Sequence, residues 1–186
     1  MNLITAMVLG LVQGFAEFLP ISSSGHLVVI GHLLGIKDSN IAFDVFLHFA
    51  TLLAILIYFK KDILSIKLNE IKAIIIGSIP ATLVGLLFKD QFEALFGSVL
   101  IVSVFLIITG FLNLMTDSKL NKLNDSVVIK KEVGIKEALI IGIFQAFAIL
   151  PGISRSGSTV AGGVLQNIDR EKAFRFSFLM VIPVVF

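Results

Sequence analysis

The sequence predicts an all-α polytopic membrane protein, because of its composition and because one motif occurs twice. Hydrophobic residues make up 56% of the 186 positions, charged residues only 15%, and the mean hydropathy is +1.00. A soluble domain of this size has too little interior for so much apolar surface, whereas a bilayer accommodates it. The repeated motif further predicts an inverted-topology repeat with two re-entrant helical hairpins in addition to transmembrane helices.

Three apolar blocks have the length of a transmembrane helix. They cover residues 41–59, 73–88 and 98–116, and charged clusters separate them from the rest of the chain. A helix rises about 1.5 Å per residue and the hydrocarbon core is about 30 Å thick, so blocks of this length predict full spans. We therefore expect each block to cross the membrane once.

Two further apolar blocks, residues 3–35 and 138–166, are interrupted midway by related sequences. Residues 13–25 and 145–157 match at seven of thirteen positions when they are offset by 132. Each block is too long for one span and too short for two. Irregular backbone at membrane depth is tolerated only where it lines a cavity or is buried in protein, so each block predicts a re-entrant hairpin of two half-helices.

The lysines predict how these segments are oriented. Residues 60–72 contain four lysines and residues 117–137 contain five, so the positive-inside rule places both segments in the cytoplasm. The first hairpin then enters the membrane from the outside and the second from the cytoplasm. Two related sequences in opposite orientations form an inverted-topology repeat, whose shared site is expected near the membrane midplane.

These features divide the chain into three parts. Residues 1–116 form a first repeat unit, residues 117–137 a cytoplasmic loop, and residues 138–186 an incomplete second unit that ends with the start of a span at residue 176. A second unit as long as the first would continue well beyond residue 186. We therefore expect the sequence to be a C-terminally truncated part of a longer protein.

Residues 13–26, which interrupt the first block and which we call the first turn, contain ionisable groups at membrane depth. Such groups usually mark functional sites. Gln13 and Glu17 lie four residues apart, so they share one face of a helix, and three serines at 22–24 and then His26 follow. Carboxylate oxygens suit a hard divalent cation that bridges phosphate oxygens. Glu17 is therefore a candidate metal ligand.

Residues 151–159, which interrupt the second block and which we call the second turn, add a cation and several hydroxyl groups. Arg155 lies between Ser154 and Ser156, and Thr159 follows one helical turn later. A guanidinium holds two phosphate oxygens at once, and the free N–H groups at the start of a helix attract anions. Together the two turns are suited to bind a phosphate or a diphosphate.

Structural roles are the alternative for several of these residues. Serine and glycine in membrane helices often serve close packing, so any single serine of the two turns has a structural interpretation. Asp44 and His48, four residues apart in the first uninterrupted block, are either a supporting pair for the site or groups at the membrane interface. The chain contains no cysteine, which excludes disulfides and thiolate metal sites.

The two motifs resemble the signatures of the undecaprenyl-diphosphatase family, also called the bacitracin-resistance family. The resemblance rests on residues 13–26 and 151–159 and includes residues 43–48. It implies a multi-pass enzyme of the bacterial plasma membrane that removes the terminal phosphate of undecaprenyl diphosphate, which recycles the lipid carrier of cell-wall synthesis. The implied cofactor is a divalent cation, Mg²⁺ or Ca²⁺. The expected partners are the polyprenyl diphosphate substrate and membrane lipids; a homodimer is left open, and no nucleic acid is expected.

The same resemblance implies roles for individual residues. Glu17 would bind the metal or activate the attacking group, and Gln13, at a position where the family accepts Glu or Gln, would assist it as a metal ligand. Ser23 and His26 would be nucleophile and base, or His26 would activate water directly, and Arg155 would clamp the diphosphate. The implied substrate-binding residues are Gln13, Ser22, Ser24, Ser154, Ser156 and Thr159.

Two other functions compete with this one. Secondary transporters also use inverted repeats with broken helices, so the protein could instead move or flip a lipid phosphate or an anion across the membrane. A different type of lipid phosphatase shares a Ser-Gly-His triplet like residues 24–26, but it needs a second catalytic histidine after its Ser-Arg motif. No histidine follows Arg155, which argues against that type.

Overall fold

Helices account for the regular structure of the residues that the computed structural model describes, which are 2–36, 41–123 and 132–185. The predicted all-α fold class is confirmed for these residues. In chain order the helices are α1 (Leu3–Ala16), α2 (Ser23–Leu33), α3 (Ile41–Tyr58), α4 (Lys60–Leu64), α5 (Leu68–Leu87), α6 (Lys89–Phe96), α7 (Val99–Leu123), α8 (Ile135–Phe147), α9 (Arg155–Leu165), α10 (Arg170–Leu179) and α11 (Val181–Val185).

Helices α3, α5 and α7 correspond to the three apolar blocks that predicted spans. Helices α5 and α7 are long and apolar enough to cross a membrane, over Leu68–Leu87 and Val99–Asn121. The apolar part of α3, Ala42–Tyr58, is shorter. The sequence therefore located all three helices, and two of them have the length and composition of a span.

The charged segments between the apolar blocks are more helical than predicted. The expected loop at 117–137 begins inside α7, which continues to Leu123 because the lysines and leucines of this segment favour a helix. Residues 124–131 lie outside the described part of the chain. Between α5 and α7, residues that the sequence left as a short linker form helix α6.

Two helix–turn–helix hairpins contain the two related motifs. Helices α1 and α2 form the first hairpin, and helices α8 and α9 form the second. In each hairpin a serine hydroxyl caps the second helix. Ser22 accepts a hydrogen bond from the N–H of Gly25 at 3.3 Å, and Ser154 accepts one from the N–H of Gly157 at 3.1 Å. The two motifs thus share this capping hydrogen bond.

Helices α5 and α8 make the most extensive helix contact in the described residues. A Cβ atom on Gly142 would collide with the carbonyl oxygen of Gly77, and one on Gly77 would lie 2.9 Å from the carbonyl oxygen of Ala138. Glycine therefore permits a close approach of the two backbones, as is common between membrane helices. The largest buried cluster includes Ala138 and extends to Phe176 and Met180.

The outer surfaces of α1, α3, α5 and α7 are apolar. Large side chains such as Phe15, Ile57, Leu86 and Leu100 are exposed. Extensive exposed apolar surface is unfavourable in water and matches the hydrocarbon core of a bilayer. These four helices therefore present surfaces suited to lipid.

The apolar run that was expected to start a span at residue 176 lies in two consecutive helices, α10 and α11. Asp169 caps α10 by accepting a hydrogen bond from the N–H of Lys172 at 3.2 Å, so this helix begins at Arg170. The helix ends at Leu179, before α11 begins. Phe176 and Leu179 are buried against other helices and do not face outward. Phe176 and Leu179 thus contribute to the core, and the span expected to start at residue 176 stays a prediction.

Arg175 of α10 links this helix to α4 and to the start of α5. Its Nε donates to Oδ1 of Asp62 at 2.6 Å, and its guanidinium also pairs with Glu70. Burial lowers the pKa of Arg175, but the hydrogen bonds to Glu70 and Asp62 outweigh that effect and raise the pKa above its usual value. The charged residues of segments 60–72 and 170–175 therefore lie together.

Candidate active site

The two turns line one cavity of about 220 Å³, which we call the central cavity. Its polar lining comes from both turns and from helices α3 and α8. The structure thus brings together two stretches of sequence that are separated by more than a hundred residues. The polar residues of the lining are Glu17, Ser22, Ser23, Ser24, His48, Gln145, Ser154, Arg155 and Ser156.

Two glycines allow the turns to come into contact. A Cβ atom on Gly25 would lie 2.9 Å from Cα of Gly152, which is closer than carbon atoms pack. Gly152 itself has a φ of +100°, a conformation that side-chain-bearing residues rarely adopt. Glycine at these two positions therefore determines how closely the two turns approach each other.

Helix α7 holds both turns in place. Oγ1 of Thr109 donates to the carbonyl oxygen of Gly152 at 2.7 Å and accepts from the N–H of Ser154 at 3.0 Å. One turn of helix further on, Nδ2 of Asn113 donates to the carbonyl oxygen of Pro20 at 2.6 Å. The sequence around Thr109 and Asn113 does not predict these contacts, because nothing local marks polar residues that bind distant turns.

Glu17 is the centre of the polar contacts in the cavity. Ser23 Oγ donates to Glu17 Oε2 at 2.6 Å, and Gln13 Nε2 donates to the same oxygen at 3.1 Å. The other carboxylate oxygen pairs with the guanidinium of Arg155. Glu17 is buried, and a buried carboxylate is costly unless an opposite charge and hydrogen bonds compensate it. Residues of both turns supply that compensation.

His48 of α3 is the second ionisable residue that reaches Glu17. Its Nε2 lies 3.9 Å from Glu17 Oε2, and its Nδ1 lies 2.8 Å from the carbonyl oxygen of Asp44. A carbonyl oxygen only accepts, so Nδ1 carries a proton and Nε2 faces the cavity. Of the two alternatives for this pair, the structure favours a supporting role at the site for His48.

His26 takes a different position from the one predicted for a base. Its Nδ1 lies 2.8 Å from the carbonyl oxygen of Ser22 on its own helix, which makes Nδ1 the donor. His26 is not among the residues that line the central cavity, and no hydrogen bond within the described residues joins it to Ser23. Its assignment as a base stays a prediction, and the partner that Ser23 has here is Glu17.

The predicted substrate-binding hydroxyls fall into two groups. Ser24 and Ser156 line the cavity, each within 3.3 Å of the hydroxyl of its neighbouring capping serine, Ser22 or Ser154. Thr159 does not line it: its Oγ1 donates to the carbonyl oxygen of Arg155 at 2.8 Å and lies 2.6 Å from a buried serine hydroxyl of α10. Thr159 therefore has structural partners.

Ser22 has a backbone conformation that its counterpart Ser154 lacks. Its φ is +68°, whereas that of Ser154 is −71°. Positive φ is strained for a residue with a side chain and persists where surrounding structure enforces it, often at functional sites. The strain lies next to Ser23, the hydroxyl that contacts Glu17.

The two glutamines at the start of the motifs lie on the inner side of α1 and α8. Gln13 donates to Glu17 and also to Thr51 Oγ1 at 3.3 Å, but its Oε1 has no hydrogen-bond partner in the described residues. Gln145 lines the cavity, and neither of its polar atoms has such a partner. In the sequence, Gln145 is the repeat's counterpart of Gln13, but nothing there predicts a role for it.

The oxygen donors near Glu17 fit a hard divalent cation in part. Within the described residues no group of three histidine, aspartate or glutamate side chains is arranged to hold a metal. Mg²⁺, however, is often bound through one or two protein oxygens together with substrate phosphates. The Glu17 carboxylate and the unpaired Oε1 of Gln13 are oxygen donors of that kind.

Comparison with known proteins identifies the family. Residues 6–186 match the family model described as "Bacitracin resistance protein BacA". The chain belongs to the BacA family. The resemblance seen in the two motifs is therefore confirmed, and the family match together with the two apolar helices α5 and α7 identifies a membrane protein.

Curated members of the BacA family are similar to the chain over nearly its whole length. The undecaprenyl-diphosphatase of Halothermothrix orenii is 45% identical, with 100% of this chain and 73% of that protein covered. The undecaprenyl-diphosphatase of Christiangramia forsetii is 46% identical, with 100% and 74% covered. The undecaprenyl-diphosphatase of Methanococcus maripaludis (strain C5) is 41% identical, with 97% and 74% covered.

Proposed function

We propose that this protein is a membrane phosphatase that hydrolyses undecaprenyl diphosphate to undecaprenyl phosphate and inorganic phosphate. The names of its relatives in the BacA family support this activity. The observation that carries the proposal for this chain is the contact of Glu17 with both Ser23 and Arg155 inside one cavity. A base, a hydroxyl nucleophile and a phosphate-binding cation are groups that can together catalyse hydrolysis of a phosphoanhydride.

Arg155 binds the terminal phosphate in this proposal. A guanidinium has five N–H donors in a fixed plane, so Arg155 can keep its pairing with Glu17 and still donate to phosphate oxygens. The charge that develops on those oxygens during transfer is then stabilised without reorganisation. Ser24 and Ser156, one from each motif, line the cavity and provide further donors to the diphosphate.

Ser23 is the proposed nucleophile and Glu17 its base. The 2.6 Å contact from Ser23 Oγ to Glu17 Oε2 allows the proton to pass to Glu17 as the hydroxyl oxygen attacks the terminal phosphorus. The bond from that phosphorus to the bridging oxygen breaks, and undecaprenyl phosphate leaves with the oxygen. Water then hydrolyses the phosphoserine and releases phosphate. The second route is attack by a water molecule that Glu17 deprotonates directly.

The two routes differ in what the Ser23→Ala variant does. Attack by Ser23 requires the hydroxyl, so the variant should lose about 10³-fold in kcat, as is common for a missing nucleophile. Substrate labelled in the terminal phosphate should also leave label on the wild-type protein and none on the variant. Hydrolysis at near wild-type rate by the variant would show that water attacks directly.

A divalent cation, Mg²⁺ or Ca²⁺, is part of the proposal. Glu17 and Gln13 would hold it through the carboxylate and the unpaired amide oxygen. When a divalent cation is bound, it neutralises negative charge on the phosphate oxygens. The site would then contain two sources of positive charge, the cation and Arg155.

The fold proposed for the membrane is an inverted-topology repeat whose re-entrant hairpins are α1–α2 and α8–α9. The matching caps at Ser22 and Ser154 support a repeat, and the ion pairs of Arg175 support placing segments 60–72 and 170–175 on one side, which the lysines indicate is the cytoplasm. In this arrangement the protein is a multi-pass protein of the bacterial plasma membrane, and the cavity opens toward the outer leaflet.

Release of phosphate from undecaprenyl diphosphate by the protein in detergent tests the activity. Detergent provides no second compartment, so a transporter has no measurable product in this assay while a phosphatase does. We expect phosphate release by the wild type and a much slower, still measurable release by Arg155→Ala. Absence of release by the wild type, together with movement of a lipid phosphate across reconstituted vesicles, would favour the transporter.

A further inference from the structure

Gln145 lies at the wall of the central cavity, and its buried amide has no hydrogen-bond partner in the described residues. Only 2% of its surface is exposed, and it lies among the residues that line the cavity. Neither Nε2 nor Oε1 makes a hydrogen bond in the part of the chain that the structure describes. Buried polar groups are nearly always hydrogen-bonded, so one that is not needs a partner from outside the protein or a functional reason.

The repeat explains why this amide is free. Gln13, which occupies the equivalent position in the first unit, donates to Glu17 one helical turn later. The residue one turn after Gln145 is Ile149, which also lines the cavity and offers no acceptor. The same amide is therefore paired in one half of the site and unpaired in the other.

The surroundings of Gln145 indicate what its partner is. Arg155, Ser154 and Ser156 line the same cavity and are donors suited to an anion. A neutral amide adds a further donor to such a site without adding charge. Phosphate oxygens accept hydrogen bonds readily, whereas an apolar lipid tail offers no acceptor. A phosphoryl group in the cavity therefore supplies what Nε2 lacks.

We propose that Gln145 binds a phosphoryl group of the diphosphate substrate through its Nε2–H donor. This inference rests on the proposed phosphatase function and assigns a substrate-binding residue on α8, beyond the residues of the two turns. The amide has no partner among the described residues and would gain one in the complex. Stability of the free protein and affinity for diphosphate should therefore respond in opposite directions when the amide is removed.

The test replaces Gln145 by Leu, which has a similar volume and no polar atoms. We expect the melting temperature of the substrate-free protein to stay the same or to rise, because two unpaired buried polar atoms are lost. We expect the KM for undecaprenyl diphosphate to rise by about tenfold or more, which is typical for the loss of a hydrogen bond to a charged group, with a smaller change in kcat. Binding of inorganic diphosphate, measured by calorimetry, should weaken to a similar extent.

A matched control is Gln13→Leu, the same change at the equivalent position. This variant loses the hydrogen bonds to Glu17 and Thr51, so its melting temperature should fall. A second variant, Gln145→Glu, keeps the shape of the side chain and places a carboxylate against the phosphoryl group. It should weaken diphosphate binding more than Gln145→Leu does, and it supplies the readout if the leucine variant does not fold.

Several outcomes would overturn the proposal. Unchanged KM and unchanged diphosphate binding in either Gln145 variant would exclude the contact. A clear fall in the stability of folded Gln145→Leu would mean that the amide already has a structural partner. Failure of the wild type to hydrolyse the lipid would instead count against the proposed function, and diphosphate binding by wild type and variants would still report on Gln145 independently.

Discussion

Glu17 is the residue on which the proposed chemistry depends, because both turns converge on it. Ser23 and Gln13 contact one carboxylate oxygen, Arg155 pairs with the other, and His48 approaches from α3. A carboxylate with this many partners can act as a base, as a cation ligand or as an anchor for Arg155. Substitutions at the two charged residues separate these roles.

Lysine should not replace Arg155 fully. The guanidinium reaches Glu17 and phosphate oxygens at the same time, while an ammonium provides a single point of charge. We expect Arg155→Lys to raise the KM for undecaprenyl diphosphate and to lower kcat/KM by about tenfold or more, as for loss of a bidentate contact. Near wild-type KM and turnover in this variant would contradict the role of Arg155 as a clamp.

Glu17→Gln and Gln13→Glu should have opposite outcomes in metal-dependent hydrolysis. Glutamine at position 17 removes the base and the charged cation ligand, so activity should fall by at least about 10²-fold at every Mg²⁺ concentration. Glutamate at position 13 keeps an oxygen donor in place and should preserve activity. Titration of Mg²⁺ with each variant measures this, and Mg²⁺-stimulated turnover by Glu17→Gln would remove Glu17 from the metal site.

Helix α7 is the element that aligns the two half-sites. Thr109 contacts the second turn twice, Asn113 contacts the first turn, and both residues lie on a helix that also has the composition of a span. Buried hydrogen bonds from a rigid helix to irregular backbone fix the turns more firmly than the turns could fix themselves. Geometry at Glu17 should therefore depend on residues that never touch substrate.

Thr109→Val should impair the site from a distance. Valine keeps the shape of threonine but leaves the carbonyl oxygen of Gly152 and the N–H of Ser154 without their partner, which should cost about 1–3 kcal/mol of stability. We expect a lower melting temperature and a lower kcat. The matched control is Thr116→Val on the same helix, whose hydroxyl bonds only to its own helix at Leu112, and it should change both much less. Equal effects of the two changes would contradict the role of Thr109.

The whole molecule is arranged so that two related units meet at one polar cavity and present apolar surface outward. The close crossing of α5 and α8 joins the units, and the charged residues around Arg175 gather at one place. In the proposed orientation the charged cluster is cytoplasmic and the first turn is reached from outside. Accessibility of that turn in intact cells distinguishes this orientation from its reverse.

Cysteines at single positions of this cysteine-free chain test the orientation. We expect Ser24→Cys to react with an impermeant thiol reagent added to intact cells, and inorganic diphosphate to slow the reaction, because Ser24 lines the cavity. Lys61→Cys, in the cluster assigned to the cytoplasm, is the control and should react only in inside-out vesicles. The reverse pattern of labelling would overturn both the orientation and the outward opening of the site.

Much of this arrangement follows from the sequence, and what does not follow depends on long-range contacts. Apolar length and the Pro, Gly and Ser interruptions located α3, α5, α7 and the two turns, and the repeat brought Glu17 and Arg155 into one predicted site. Local pattern could not show that Thr109 reaches Gly152, since only the packing of α7 decides it. Nor could it show that Gln145 lacks a partner, because an unpaired amide is defined by everything around it.

The orientation of the histidines shows the same limit. Sequence spacing placed His26 beside Ser23, but its ring is held by a carbonyl oxygen of its own helix. His48, distant in sequence, lies 3.9 Å from Glu17. The repeat therefore predicted that the two turns meet at one cavity, but it could not predict side-chain orientation, which packing and backbone hydrogen bonds determine.

The central claim is that the two turns act as one active site, and a double-mutant cycle tests it most directly. The kcat/KM for undecaprenyl diphosphate is measured for wild type, Ser23→Ala, Arg155→Ala and the double variant. Residues that act as a unit are strongly non-additive, so the double variant should lose little more than the worse single variant. If the two losses instead multiply, so that each substitution acts independently of the other, Ser23 and Arg155 do not serve a common transition state and the account of a shared site is wrong.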